Sequence, residues 1–422
     1  MDWVTEPERK TAVVADVDVL VCGGGFAGVA AAVCAAKNGV KVLLLEKYGF
    51  LGGLATAALV ITVPPLDNGF NVEIVGRLRE SAAYAPCRHS GDELLEYAMH
   101  GIDPEIVKYE FVNMLQEQGI NILLHTYIVG AIMEDNVVKG VIVESKAGRQ
   151  AIRAKMVVDT TGDADVAAFA SAPIRLVKRP MTMMFNMVGV DVDRVLATIG
   201  NWSNLKKVVK KAIDKGELPF DLGVTMEFGA PGVHAEKLVY DDEINVWSGN
   251  LLGINGLDPI ELTKAEFITR EHAMRLAAFF RKNLQGFENS RIEHTATQVG
   301  VRGTRQIVGE ASPSMDEVKT TKFDDTVVKP YAKGKIRLPY GCILPQKVEN
   351  HLVAGRCISA EDDAMGHLRL LPVCATTGQA AGTAAALALK QKVPPRLLDI
   401  SLLQKTLMDQ GMELGLAKKV AV

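Results

Sequence analysis

The sequence has few of the residue groupings that hold metals. It contains six cysteines, and none of them stands in a CxxC pair or in a cluster with metal-ligand spacing. We therefore expect no metal site and no iron–sulfur cluster, and mostly reduced, buried thiols. The six cysteines are Cys22, Cys34, Cys87, Cys342, Cys357 and Cys374.

Excess charge of one sign and long apolar runs are missing as well. The formal net charge is −3 and the isoelectric point is about 6.3, which gives no basic footprint for nucleic acid or an anionic membrane. No apolar run reaches a membrane-spanning length without glycine or polar residues. Residues 1–19 lack the apolar core of a signal peptide. These absences predict a cytoplasmic protein that partners neither nucleic acid nor a membrane.

Length and hydropathy fit a compact globular enzyme. The chain has 422 residues, of which 48% are hydrophobic, and its mean hydropathy is +0.13. A chain of this length usually forms about two domains.

Residues 17–53 contain a complete nucleotide-binding unit. An apolar run over residues 17–22 predicts a strand buried on both faces of a parallel sheet. The turn GGGFAG follows at residues 23–28, then a helix to Asn38 and a second strand over residues 40–45. In such a unit the first glycine permits the tight turn, the second admits a pyrophosphate and the third lets the helix pack closely. These glycines are Gly23, Gly25 and Gly28, and Phe26 and Ala27 complete the turn.

The end of the second strand predicts which nucleotide binds. Glu46 lies about 20 residues beyond the turn, where a carboxylate accepts the ribose hydroxyls of an adenosine. The alternative, a glycine-rich turn without chemical meaning, is disfavoured because strand, helix and acid all match. Lys47 follows. The pair Gly52 and Gly53 resembles the second glycine pair that flavoproteins of the glutathione reductase and fumarate reductase type place just after the acidic residue. FAD is thus favoured over NAD, and non-covalent binding is expected because residues 46–53 contain no histidine or cysteine.

Two later segments also predict cofactor contacts. A strand over residues 155–159 leads into the turn TTGD, in which Gly162 and Asp163 are expected to face ribityl or phosphate groups. The alternative is an ordinary turn. Near the C-terminus, a strand over residues 351–354 ends at Gly355 and Arg356, and an alanine-rich helix carries Gly378 and Gly382, which allow tight packing on a cofactor or a sheet.

Five segments make the chain similar to FAD-dependent oxidoreductases of the fumarate reductase-like superfamily. They are GGGFAG (23–28) with Glu46, FLGG (50–53), VDTTGDAD (158–165), GVRGTRQIVG (300–309), and NHLVAGR (350–356) with GQAAG (378–382). Gly303 and Thr304 stand where that group often has further arginines or a serine. Similar flavoproteins hold the adenine near the backbone of Ile128, at a hairpin predicted over residues 128–133 and 137–143.

The resemblance implies an α/β fold with a discontinuous FAD domain. We expect a Rossmann-like FAD-binding domain, a parallel sheet with a covering β-hairpin, over residues 13–172 and 338–395. An α+β cap or substrate domain is inserted at residues 173–337, and a helical tail follows at 396–422. The residues expected to bind FAD are Gly23, Gly25, Phe26, Ala27, Gly28, Glu46, Lys47, Gly52, Gly53, Ile128, Gly162, Asp163, Gly355 and Arg356.

The catalytic residues are inferred from what a flavin requires. Negative charge develops at N1 and O2 when the ring accepts hydride at N5, so a helix N-terminus near Pro372 with Arg369 ahead of it is expected there. His367, expected on an irregular loop over residues 357–369, is the candidate acid or base, with a structural loop histidine as the alternative. Arg302 is expected to bind an anionic group.

Arg305 and four histidines are given structural interpretations. Arg305 could share the anionic group with Arg302, but pairing with acids such as Glu310 or Asp316 is slightly favoured. His89, His100, His234 and His294 have no neighbours in the sequence that single them out, so they are expected to be structural.

These inferences converge on hydride transfer between the flavin N5 and a small polar or anionic organic substrate. Two alternatives stay open: a protein that holds FAD structurally, and an electron-transfer subunit of a larger complex. The sequence contains no second GxGxxG unit for NAD(P)H. Substrate, direction and the second electron carrier are not specified, and a homo-oligomer is left open.

Overall fold

The computed structural model describes residues 3–87, 99–218 and 232–416. Its strands, numbered along the chain, are β1 (Val13–Cys22), β2 (Val42–Leu45), β3 (Thr62–Val63), β4 (Tyr84–Pro86), β5 (His100–Ile102), β6 (Asn121–Leu123), β7 (Tyr127–Glu134), β8 (Val137–Ser145), β9 (Gly148–Asp159), β10 (Ile174–Leu176), β11 (Met181–Thr182), β12 (Met184–Val188), β13 (Val233–Lys237), β14 (Ile244–Ser248), β15 (Arg291–Thr295), β16 (Gly300–Val301), β17 (Arg305–Ile307), β18 (Thr326–Val328), β19 (Leu338–Pro339) and β20 (His351–Val353).

The helices connect these strands and cover their sheets. They are α1 (Phe26–Lys37), α2 (Leu54–Ala57), α3 (Phe70–Glu80), α4 (Pro104–Glu117), α5 (Asp165–Phe169), α6 (Val192–Ile199), α7 (Leu205–Asp214), α8 (Pro259–Asn283), α9 (Met315–Thr320), α10 (Asp362–Leu368), α11 (Leu371–Gln391) and α12 (Ile400–Asp409), with short 3₁₀ turns at Trp202–Asn204, Tyr340–Ile343 and Pro395–Leu397.

The central sheet has seven strands in the order β6-β2-β1-β9-β8-β7, with β20 paired to β9. The pairs β6–β2, β2–β1, β1–β9 and β9–β20 are parallel, whereas β9, β8 and β7 are antiparallel. The chain therefore has the expected α/β fold, a parallel sheet with a covering hairpin. Because β20 lies beside the carboxyl end of β9, the two distant parts of the chain contribute to one sheet.

Two helices with many small residues pack directly against each other beside this sheet. A Cβ placed on Gly378 of α11 would lie 2.1 Å from the Ala27 carbonyl oxygen of α1, and one on Gly382 would lie 2.0 Å from that of Ala31. A methyl group fits at neither position. The two glycines of α11 therefore face α1 and allow its close approach.

A second, four-stranded sheet has the order β13-β14-β12-β15, and we call it the cap sheet. One of its faces packs with α6, α7 and α8 in an apolar core of its own. Val318 and Ile336, by contrast, pack in the core that contains α1 and α11. The chain between β10 and β19 therefore contributes to two cores.

Most predicted elements are present, and one local prediction is wrong. The segment 357–369 was expected to be an irregular loop, but it contains α10. Asp362 and Asp363 lie in the first turn of that helix, where acids stabilise the free amides. His89 and residues 417–422 of the predicted tail lie outside the described residues, as do residues 219–231 of the predicted cap.

Candidate active site

The first glycine turn has the geometry that its sequence predicts. Gly23 has φ +118°, and a Cβ there would lie 2.4 Å from the Thr160 carbonyl oxygen, so only glycine fits. A Cβ on Gly28 would lie 1.8 Å from the Gly23 carbonyl oxygen, which fixes the close approach of α1. A Cβ on Gly25 would meet nothing nearer than the Gly53 Cα at 3.5 Å. The outer side of Gly25 is therefore open to a ligand.

The second glycine pair lies directly on the first turn. The Gly52 amide donates to the Gly24 carbonyl oxygen at 2.8 Å, and Gly25 and Gly52 form a parallel bridge. Gly53 precedes α2, and a Cβ there would lie 2.9 Å from the Gly25 Cα. The two glycine segments thus form one continuous backbone cradle.

Glu46 is oriented by backbone amides at the end of β2. Its Oε2 accepts from the Gly24 amide at 2.7 Å, and its Oε1 accepts from the Tyr48 amide at 2.9 Å. Burial raises the pKa of Glu46, against the lowering effect of these amides. Glu46 lines a cleft, so the remaining lone pairs of its carboxylate are placed to accept hydrogen bonds from ribose hydroxyls.

The segment after β9 is held by Asp159, which the sequence reasoning missed. The side chain of Asp159 accepts from the amides of Thr161, Val166 and Ala167 at 3.0, 2.9 and 3.2 Å, and the last two lie in the first turn of α5. Thr160 Oγ1 donates to the Gly23 carbonyl oxygen at 2.8 Å. These bonds tie the turn at Gly162 to the first glycine turn.

Asp163 makes a two-point ion pair with Arg356. The guanidinium nitrogens lie 3.1 Å from each carboxylate oxygen, and Thr304 Oγ1 donates to Oδ1 at 2.6 Å. Burial disfavours the ionised carboxylate, but Arg356 and Thr304 outweigh it and lower the pKa of Asp163. Asp163 therefore orients Arg356, whose side chain lines the cleft, and joins the turn after β9 to the end of β20.

Arg305 pairs with an acid different from those expected. Its Nη1 lies 2.8 Å from Asp165 Oδ1, whereas Glu310 pairs with Arg396. Burial, with Asp159 and Asp163 nearby, raises the pKa of Asp165 to about 6. The naming of Glu310 or Asp316 was wrong because the true partner lies 140 residues earlier in the chain. Arg302 is half-buried and lies between β16 and β17.

A single cleft joins these segments and contains about 1090 Å³ of space, part of it open to solvent. Its lining residues are Gly23, Gly25, Phe26, Ala27, Leu45, Glu46, Lys47, Tyr48, Gly52, Gly53, Leu54, Thr126, Tyr127, Ile128, Thr160, Thr161, Gly162, Asp165, Gln298, Gly355, Arg356, Arg369, Leu371 and Cys374. The open side of Gly25 and the oriented carboxylate of Glu46 fit an adenine dinucleotide.

The structure brings most predicted site residues to this cleft. Among the described residues that line it are twelve of the fourteen predicted FAD-binding residues, together with Arg369. Gly28 and Asp163 lie behind the lining, Gly28 against the turn and Asp163 against Arg356. His367, in the last turn of α10, and Arg302 are also outside the lining set.

The start of α11 forms part of the wall of the cleft. Leu371 and Cys374 line it, Pro372 lies in the first turn, and the N-cap residue, Leu370, makes no side-chain cap hydrogen bond. Arg369 ends α10 just before α11 begins. Burial raises the pKa of the Cys374 thiol to about 12, so this group stays protonated near neutral pH.

Several lining residues were not predicted from the sequence. Tyr48, Thr126 and Tyr127 flank predicted segments and could have been found by extending them. Gln298 and Cys374 reach the cleft only through packing of remote segments. No sequence motif marks either residue.

The fold and the cleft define a flavoprotein with a dinucleotide-binding domain of the Rossmann type. The family model described as FAD dependent oxidoreductase matches residues 18–332 and 328–407. The chain therefore belongs to this family, and it is an FAD-dependent oxidoreductase whose cofactor is FAD.

Sequence relatives share only part of the chain. A segment of 187 residues is 26% identical to digeranylgeranylglycerophospholipid reductase 1 of Methanococcoides burtonii, covering 42% of this chain and 46% of that protein. A segment of 47 residues is 51% identical to urocanate reductase of Eggerthella lenta, covering 11% of this chain and 8% of that protein. The chain thus matches less than half the length of these relatives.

Solved structures support the fold. A geranylgeranyl bacteriochlorophyll reductase-like protein from Thermoplasma acidophilum has a TM-score of 0.54 at 15% identity, covering 94% of this chain and 84% of that chain. A p-nitrophenol 4-monooxygenase from Pseudomonas putida has a TM-score of 0.52 at 14% identity, covering 94% of this chain and 85% of that chain.

The described residues contain neither a helix of membrane-spanning character nor a cluster of metal ligands. Within residues 3–87, 99–218 and 232–416, no helix is long and apolar enough to cross a membrane. In the same residues, no group of three or more histidine, cysteine, aspartate or glutamate side chains is arranged to hold a metal ion.

Proposed function

We propose that the enzyme transfers hydride between FAD and a small polar or anionic organic molecule that binds at the Arg369 end of the cleft. The observation that carries this proposal is that Arg369 and the start of α11, whose N-cap residue makes no side-chain cap hydrogen bond, line the same cleft. Glu46 and Ile128 line the same cleft and suit an adenosine. The flavin ring is therefore assigned to the end that carries the positive groups. FAD supplies the site that accepts or returns hydride.

The residues near Arg369 have distinct roles in hydride transfer and substrate binding. The free amides and dipole of α11 stabilise negative charge that develops during hydride transfer. Arg369 adds a full positive charge and binds an anionic group of the substrate. Cys374 Sγ lies 3.3 Å from the Arg369 carbonyl oxygen, a weak hydrogen bond that ties the end of α10 to α11. The acid or base role of His367 and the anion-binding role of Arg302 stay predictions.

The proposed domain division follows from the same arrangement. Residues 13–172 and 338–395 contribute the central sheet, α1, α11 and most of the cleft, and residues 173–337 contain the cap sheet. Because residues 318–336 pack beside α1 and α11, we place the end of the cap before Val318. The names of the partial relatives do not define the substrate, because their matches cover less than half of each protein.

Anaerobic photometry tests the proposal. Purified holoenzyme is mixed with L-lactate, L-malate or L-proline to test reduction of the flavin. Chemically reduced holoenzyme is mixed with fumarate or urocanate to test its reoxidation. We expect one compound to change the visible flavin absorbance rapidly, and we expect Arg369→Gln to raise the concentration needed more than Arg369→Lys does. A flavin silent to all of them would instead favour the structural use of FAD.

A further inference from the structure

Gln298 brings a distant part of the chain to the cofactor cleft. Of the described residues that line the cleft, it alone comes from between residues 173 and 337. The other described lining residues lie within residues 23–54, 126–165 and 355–374. The part of the chain expected to form the cap therefore contributes one side chain to the lining of the cleft.

Helix α8 fixes the backbone on both sides of Gln298. The Val299 amide donates to Glu266 Oε1 at 2.7 Å. Arg270 Nη1 donates to the Ala296 carbonyl oxygen at 3.3 Å, and Arg270 Nη2 donates to Glu266 Oε2 at 3.1 Å. Two charged side chains of one helix, themselves paired, thus hold the short segment that presents Gln298 to the cleft.

Gln298 is also bonded to residues that follow the second strand of the nucleotide-binding unit. Its amide donates to the carbonyl oxygen of Ala57, the last residue of α2, at 3.1 Å. Its side-chain Oε1 accepts a hydrogen bond from the Tyr48 hydroxyl. Burial raises the pKa of this hydroxyl, and the nearby charge of Glu46 raises it further, so the group stays protonated as the donor. The carboxamide is thus oriented, with its oxygen toward Tyr48.

The nitrogen end of this carboxamide is left for a ligand. A glutamine Nε2 carries two N–H donors, and the oxygen end of Gln298 is taken by Tyr48. Among the described residues no acceptor takes a hydrogen bond from Nε2, although the side chain is half-buried and lines the cleft. A donor left unsatisfied is costly once a bound cofactor excludes water from it. FAD carries acceptor oxygens along its whole length, on its phosphates, hydroxyls and ring carbonyls.

We propose that Gln298 binds the cofactor, with its Nε2 donating a hydrogen bond to an acceptor of FAD, and that Tyr48 is the positioning residue that orients it. Helix α8 packs in the core of the cap sheet, whereas α1 and α11 pack in another core. FAD therefore links two parts of the chain that have separate cores. This inference depends on FAD as the cofactor and not on the identity of the substrate.

Fluorescence titration of flavin-free protein with FAD measures the contribution of Gln298. Gln298→Leu should raise the Kd for FAD by about 3- to 10-fold, as expected for the loss of one hydrogen bond. Gln298→Glu should raise it further, because a carboxylate still accepts from Tyr48 but has no N–H and places negative charge beside an anionic cofactor. Gln118→Glu is the matched control, since it adds the same charge at an exposed position outside the lining of the cleft. It should leave the Kd unchanged.

A double-mutant cycle tests the positioning role of Tyr48. Tyr48→Phe should raise the Kd for FAD by a smaller factor than Gln298→Leu does. It should have no further effect in the Gln298→Leu background, because Tyr48 acts through the carboxamide. Tyr127→Phe is the comparison, since Tyr127 also lines the cleft and is 56% exposed. Its effect, whatever its size, should multiply with that of Gln298→Leu.

Hydrogen exchange tests the link between FAD and the segment around Gln298. FAD should slow exchange in the peptide that covers residues 295–301 of the wild type, because the bond to the cofactor holds this segment. The same comparison in Gln298→Leu should show little slowing by FAD. Helix α7 contains no residue of the cleft lining and should exchange equally with and without FAD.

The outcomes separate this inference from the proposed function. If Gln298→Leu and Gln298→Glu both keep the Kd for FAD within about twofold of the wild type, the inference is overturned. If Gln298→Leu does not fold, Gln298→Glu, which keeps the bond from Tyr48, decides the question. Equal effects of Tyr48→Phe in the wild-type and Gln298→Leu backgrounds would overturn the positioning role. A flavin silent to every substrate tested would count against the proposed function alone, because FAD affinity is measured without turnover.

Discussion

Removing the Arg356 guanidinium should destabilise the fold and expose how the two distant parts of the chain are joined. The Arg356→Leu variant keeps much of the side-chain stem but removes both guanidinium hydrogen bonds to Asp163, and the hydrogen bond from Thr304 stays. The side chains of Arg356 and Asp163 are 13% and 21% exposed. Breaking one side of a largely buried ion pair costs about 3–5 kcal/mol. We expect a loss of at least about 3 kcal/mol in the free energy of unfolding.

Urea denaturation of flavin-free protein measures this loss. The flavin-free form is needed because Arg356 lines the cleft, and weaker FAD binding would lower the apparent stability separately. Arg149→Leu is the control, since its pair with Glu144 spans 3.6 Å between side chains 34% and 44% exposed. An exposed pair contributes about 0–1 kcal/mol. If Arg356→Leu lowers the free energy of unfolding no more than Arg149→Leu does, the ion pair with Asp163 does not join the two parts of the chain.

The stability that the Asp163–Arg356 pair contributes should decrease at acid pH. The pKa of Asp163 is lowered in the folded protein, so its contribution is fully present above the ordinary range for an aspartate. That contribution is lost as the pH falls through the lowered folded pKa. The stability difference between wild type and Asp163→Asn should therefore be constant near neutral pH and shrink at acid pH. A difference that grows on acidification would contradict the ion pair.

Three further predictions concern the cofactor and the helix pair. Glu46→Ala should weaken FAD binding by about 10- to 100-fold, measured by fluorescence titration, because it removes a carboxylate held by two amides at the cleft. Gly378→Ala should lower the free energy of unfolding by about 1–3 kcal/mol through overpacking on Ala27, whereas Gly76→Ala, with nothing within 4 Å of its Cβ, should raise it by about 0.5–1 kcal/mol. Acid precipitation should leave a colourless pellet and a yellow supernatant; a yellow pellet would show covalent FAD.

The local sequence pattern was sufficient to predict the nucleotide-binding unit. The spacing of Gly23, Gly25 and Gly28 reflects contacts within a few turns of chain, and the structure places them as the motif requires. The acid Glu46 and the hairpin β7–β8 were found for the same reason, because strand periodicity and turn chemistry are short-range signals. The fold class followed from these elements.

Contacts between remote segments were not predictable from the sequence. Asp163 and Arg356 are 193 residues apart, and nothing in either motif indicates that they pair. The glycines of α11 could have packed on a cofactor or a sheet, and only the structure shows α1 beneath them. The ring of His234 stacks on Trp247, which comes from the neighbouring strand, so this contact had no signal in the sequence. The acids at the start of α10 were a local signal for a helix that the sequence reasoning overlooked.

A crystal structure of the enzyme with FAD tests the central claim most directly, which is that one cleft built from both parts of the chain holds the cofactor. We expect the adenosine against Glu46 and Ile128, the pyrophosphate at Gly25, and the flavin ring beside Arg369 and Leu371. An FAD whose contacts were confined to the first 172 residues, with its ring away from the start of α11, would contradict the account.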